Sequence, residues 1–148
     1  MSNQNVVCER YDKETEELVS KDSSEFLNTP LSHFKEKKNE YVYLESDDLE
    51  AIKVDGLVLE YDEVFDVYTA MFGLAIQKKF ASKIEAYLKE HYNDEKMNYS
   101  LMFSGDEGLW EINLPLDYIH QFSENFTIGE AYQFLQTFIS SLVEATGN

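Results

Sequence analysis

Met97-Asn98-Tyr99-Ser100-Leu101-Met102-Phe103, then Ser104-Gly105-Asp106-Glu107-Gly108, then Leu109-Trp110-Glu111-Ile112-Asn113-Leu114-Pro115: the chain alternates, breaks at a glycine-flanked loop and alternates again. Met97, Tyr99, Leu101 and Phe103 share one side of the first half, and Trp110, Ile112 and Leu114 share one side of the second. That is the period of half-buried strands. Met102 departs from the pattern. The two glycines can take positive φ, so residues 97–115 read as a hairpin with one apolar face. Pro115 has no amide hydrogen for a ladder and ends the pairing. The cover for that face follows downstream, where Thr127-Ile128-Gly129-Glu130 is a capping box. Ile128, Ala131, Tyr132, Leu135, Phe138, Ile139, Leu142 and Val143 then form one stripe at helical spacing, and Gly147 stands where the helix can stop. The pattern predicts a helix over 127–145.

Upstream, Tyr41-Val42-Tyr43-Leu44-Glu45 is rich in aromatic and branched residues and reads as a strand. Leu49 to Val54 reads as a second strand. Asp55-Gly56 reads as a tight turn, and Leu57, Leu59 and Tyr61 alternate in a third strand, giving a meander over 41–61. From Asp66 to Tyr92, Tyr68, Met71, Phe72, Ala75, Ile76, Phe80, Ile84, Tyr87 and Leu88 recur at helical spacing and predict one helix about 40 Å long. The expected fold is therefore α+β. An antiparallel sheet of about five strands, in two hairpin units (41–61 and 97–115), packs against a long central helix (66–92) and a C-terminal helix (127–145). Pro30 is expected to open a short helix ending near Lys38, and Tyr11 to Val19 is weakly periodic. Residues 1–10 are read as a disordered polar leader and 11–148 as a single domain.

At 148 residues the chain is long enough to bury a core without a staple. The single cysteine, Cys8, excludes a disulfide framework within the chain, and with no secretory signal in the first residues a reducing cytoplasm is the expected setting. A formal net charge of −17 opposes direct binding to nucleic acid or to an anionic membrane, because both are held by neutralising phosphate.

Catalytic signatures are missing. His33, His91 and His120 share no ligand spacing, no zinc, calcium or phosphate-loop motif is present, and Ser104 has no nucleophile-elbow context. The expectation is a protein that is not an enzyme and needs no metal or other cofactor. The alternative is a small hydrolase or metal-dependent enzyme using clustered carboxylates around Asp47 and Asp62.

The acids are not spread evenly. Nine fall between Glu45 and Asp66 with only Lys53 to offset them. Ten tyrosines and ten phenylalanines accompany them in the chain, and rings on strands bury area while keeping a polar edge for a partner. The sequence thus nominates Glu45, Asp47, Asp48, Glu50, Glu60, Asp62, Glu63, Asp66, Tyr43 and Tyr61 as a surface for a basic protein partner.

The order helix, three strands, helix, two strands, helix resembles the small acidic chaperones of type III secretion effectors. The likeness is carried by Asn98 to Phe103, the turn Gly105 to Gly108, Trp110 to Leu116 with its Leu114-Pro115-Leu116 ending, and the final amphipathic helix. The resemblance implies a homodimer that binds an extended segment of another protein and catalyses nothing. On charge alone, immunity proteins and antitoxins that plug a basic toxin or nuclease fit equally well.

Overall fold

The computed structural model describes residues 6–92 and 99–147. Strands β1 (Val7–Asp12), β2 (Leu18–Asp22), β3 (Glu40–Glu45), β4 (Val54–Asp62), β5 (Val67–Leu74), β6 (Ser100–Ser104) and β7 (Leu109–Pro115) form one sheet in the order β2-β1-β3-β4-β5-β7-β6. Every neighbouring pair is antiparallel. Helices α1 (His33–Glu36), α2 (Asp47–Ala51), α3 (Ala81–His91) and α4 (Ile128–Ala145) occur between and after the strands. The α+β class and the antiparallel sheet stand, with seven strands among the described residues in place of about five.

The α4 helix forms as its sequence dictates. Thr127 Oγ1 accepts from the Glu130 amide at 3.0 Å, and Glu130 Oε1 accepts from the Thr127 amide at 2.9 Å. All eight stripe residues are buried. They join one cluster with the inward-facing positions of the sheet, including Val42, Leu44, Leu57, Leu59, Ala70, Phe72, Leu74, Ile112 and Leu114.

Three expectations fail upstream. The long central helix over 66–92 is divided: Val67–Leu74 is strand β5, and helix begins only at Ala81. Strand β5 runs through the sheet interior, where Val67, Tyr68, Thr69 and Ala70 are all buried, so no alternation marks it as strand. Leu49 to Val54 is not a strand, because Ser46 caps α2 by accepting the Leu49 amide at 3.1 Å. Asp55-Gly56 is not a turn but lies within β4, at a register shift between Val54 and Leu57.

The N-terminal expectations also change. Residues 7–10, assigned to a disordered leader over 1–10, begin strand β1 (Val7–Asp12), while residues 1–5 lie outside the described residues, as do Met97 and Asn98. The segment Tyr11 to Val19 is strand, turn and strand, and the expected helix from Pro30 to Lys38 contracts to α1 after a 3₁₀ turn at Ser24–Asn28. In place of an apolar residue, β1 turns Arg10 inward. Its guanidinium holds Asp22 at 2.7 and 3.2 Å and Glu40 at 3.3 Å, Glu40 in turn contacts His33 Nε2 at 2.9 Å, and the Phe26 ring lies beneath Arg10 at 4.7 Å.

Three hairpins turn by the same chemistry. Asp12, Asp62 and Ser104 each offer a side-chain oxygen to an amide two or three residues on. The residue four positions on, Glu16, Asp66 or Gly108, takes positive φ and donates its amide back to the first carbonyl at 2.8 Å. Asx-type acceptance plus one left-handed residue closes each loop. Only the third carries a glycine, which is why only the third was legible as a turn.

Two outcomes follow for stability. Leu135→Ala, at the centre of the α4 stripe, costs about 2–5 kcal/mol in a denaturant melt. Asp22 is raised by burial, yet the hydrogen bonds from Arg10 and Ser20 and the charge of Arg10 outweigh this and hold it below the usual carboxylate range. Its stabilisation is therefore present above the unfolded value of about 3.9 and lost as pH falls through the depressed one. Arg10→Met costs about 1–3 kcal/mol at neutral pH and makes the acid-side decline shallower, because Asp22 no longer titrates below its unfolded value, read from melts across the acid range.

Candidate functional site: the open face of the sheet

Because side chains alternate across a strand, burying one face commits every second residue to the other. The pairing registers place Lys21, Glu9, Tyr43, Val58, Met71, Asn113 and Ser100 side by side in one row across all seven strands. A second row carries Tyr11, Tyr41, Glu60, Thr69 and Pro115, with the Tyr11 and Tyr41 rings stacked at 5.4 Å. A groove of ≈ 430 Å³ opens on this face, lined by strand residues alone among the described residues.

Its depth comes from missing side chains. Gly56 and Gly73 leave the floor bare, Val58 and Met71 continue it, and Tyr43 and Met102 rise beside it. The Tyr43 ring lies directly over Gly56: a Cβ there would fall 2.5 Å from both Cε1 and the phenol oxygen. Tyr43 donates to the Glu45 carboxylate, and burial, followed by that bond, raises its phenol above the ordinary range. Asp55 and Glu111 stand on the lining, and no cation does among the described residues. Neither acid enters an ion pair there. A smaller depression of ≈ 160 Å³, with Asp62, Phe65, Val67, Thr69 and Tyr118 among its walls, adjoins the groove through the shared residues Ser100 and Asn113.

The residues nominated from sequence do not form one surface. Glu45, Glu60 and Tyr43 lie on the open face. Burial raises the Glu60 carboxyl against the pull of Lys13, whose ammonium stands 3.7 Å away. Asp47, Asp48 and Glu50 sit on α2, beside the helix-covered side, where Ser46 bonds Tyr132 of α4 at 2.6 Å. Asp62, Glu63 and Asp66 form the turn after β4, so strand β4, about 27 Å long, separates the two groups. Tyr61 is a correction: it is 3% exposed, faces the core edge-on to Tyr68 at 5.4 Å, and is out of reach of a partner. Its parity shows why, since Val58 shares a face with Tyr43 and Tyr61 lies three residues further on.

Met71, Met102, Asp55, Glu111 and Asn113 were not nominated. Met71 was hidden by reading β5 as helix. The signal for Met102 was present, as an apolar residue on the polar side of a strand, and it is 61% exposed.

No group of three or more His, Cys, Asp or Glu is close enough to hold a metal ion among the described residues. None of the described helices is long and apolar enough to cross a membrane. Comparison with protein-family models, with curated proteins and with solved structures finds no match.

Gly56→Ala forces the Tyr43 ring off the floor. The phenol then titrates closer to the ordinary tyrosine value of about 10, in a spectrophotometric titration with Tyr43→Phe as the reference, while stability changes by less than about 1 kcal/mol. An unmoved Tyr43 titration contradicts this account of the groove.

Proposed function

We propose that this chain is a non-catalytic binding module that holds a basic, extended segment of a partner protein in the groove of its open sheet face. The observation that carries the reading is the combination on one face of an apolar floor, adaptable methionines and an acidic rim with no cation among the described residues. A segment alternating Lys or Arg with apolar residues matches it: the apolar side chains enter over Gly56, Gly73 and Met71, and the cations meet Asp55, Glu111 and Glu45. The net charge of −17 draws such a partner in before contact.

Continuity between the two depressions favours holding over plugging. From Gly73 to Val67 the floor follows β5 for about 20 Å, a length suited to a laid-out segment. Holding is the secretion-chaperone-like version of the reading. The immunity-type version, a block on a folded basic toxin, would use the same acids through a broader contact. A carboxylate-based hydrolase needs two acids converging on one bond, and the Asp47 and Asp62 groups stand at opposite ends of β4.

The test compares two charge reversals in capture from the native host. Asp55→Lys with Glu111→Lys weakens capture at least about tenfold, roughly 1.4 kcal/mol, whereas Asp47→Lys with Asp48→Lys leaves it unchanged. Capture also weakens as salt shortens the screening length to about 10 Å at 0.1 M. Equal loss from both pairs, or loss from the α2 pair alone, removes the groove from the function.

A further inference from the structure

The two edges of the sheet are unlike. An edge strand leaves alternate amides and carbonyls without a ladder partner, and folded proteins blunt such edges with charge, proline or a bulge. Strand β2 is blunted: it carries Lys21 and Asp22, and its register with β1 shifts between Arg10 and Tyr11. Strand β6 is not. Ser100-Leu101-Met102-Phe103-Ser104 has no charge, proline or glycine, and its five pairs with β7 run without a shift. In a chain that is 28% charged, this is a neutral, straight edge with no strand paired to its outer side among the described residues. Met102 stands 61% exposed on its outer side, and Leu101 and Phe103 are only half-buried on its inner side.

We propose that β6 pairs with β6 of a second copy of this chain, antiparallel about Met102, so that two sheets join into one across a two-fold axis. The occupant follows from the strand's own pattern. Reversed against itself, it sets Ser100 opposite Ser104, Leu101 opposite Phe103, and Met102 opposite Met102 of the other copy. Polar meets polar, inner apolar meets inner apolar, and the contact is isologous, so it closes at two subunits. A strand from another protein would have to match this pattern; a second copy does so by identity.

Charge selects the edge over the face. Stacking two open faces would bring Glu9, Glu45, Asp55, Glu60 and Glu111 against their own copies. Pairing at β6 brings together five neutral residues, while Asp106 and Glu107 in the adjoining turn supply a repulsion that salt relieves. The inference does not rest on the proposed binding function. It bears on it, because Ser100 and Met102 line the groove, so the pairing sets two grooves side by side across the axis.

The register makes the proposal testable by cross-linking. Met102→Cys, oxidised with oxidised glutathione, forms a covalent dimer, since opposed residues on antiparallel strands have Cα atoms about 4.5–5.5 Å apart, within disulfide range. Leu18→Cys on β2 does not. A mixture of Ser100→Cys and Ser104→Cys proteins cross-links where neither does alone. The native Cys8 stays silent, being 2% exposed with its thiol pushed up to about 11 by burial. In sedimentation the unmodified protein is a dimer that tightens with salt, and Met102→Lys is a monomer that still melts in one cooperative transition. A monomer at every concentration and salt, a dimer that survives Met102→Lys, or cross-linking through Leu18→Cys overturns the proposal.

Discussion

The burial of the α4 stripe against one face of the sheet is the contact on which the molecule depends. Eight side chains of one helix meet the inward residues of the central strands, and no other helix among the described residues is as long. Once that face is taken, the period of two leaves the strands no freedom: Tyr43, Val58, Met71 and Asn113 must point away from α4 because Leu44, Leu59, Phe72 and Leu114 point toward it. The open face is thus a consequence of the core, with its composition set by what the same strands could carry on the side the core did not claim.

How much of this could be read from the chain depended on whether the information was local. The α4 helix was legible because its cap and its stripe are both contained in the segment that folds. The hairpin of β6 and β7 was legible because one buried side and one open side produce alternation. Strand β5 was not, because covering both sides near Val67 to Ala70 erases the pattern that identifies a strand, and the residues left apolar also satisfy a helical period. Strands β1 and β2 were illegible for the opposite reason. They bury little, and the inward place an aliphatic residue would mark is filled by Arg10, whose meaning depends on Asp22 and Glu40, 12 and 30 residues away.

The candidate site divides along the same line. Tyr43, Glu45 and Glu60 were found because acids and tyrosines on strands are visible in any order of pairing. Assigning Tyr61 required the register, and Asp55, Met71 and Glu111 required the knowledge that β5 is a strand with β4 on one side and β7, out of sequence order, on the other. A run of acids in sequence became two groups at the ends of β4, since a strand carries its termini apart as surely as a helix turn brings residues together.

Not all of the negative charge has the same standing. Asp12 and Asp62 close turns, Glu130 completes a cap, and Asp22, Glu40 and Glu60 answer cations. Each of these acids is accounted for by a local bond that the fold needs, and a neutral Asn or Gln could serve at several of them. Asp55 and Glu111 make no ion pair among the described residues, and they crowd a groove whose floor is apolar. Placing carboxylates beside an apolar surface, where like charges repel and each must be kept hydrated, works against the isolated domain. The cost is offset only when a cation arrives to pair with them and an apolar group arrives to cover the floor. Under the proposed function the two demands meet in one kind of occupant, a basic amphipathic segment, and that coincidence on a single face sets the acids of the groove apart from those that close turns, cap helices or answer cations.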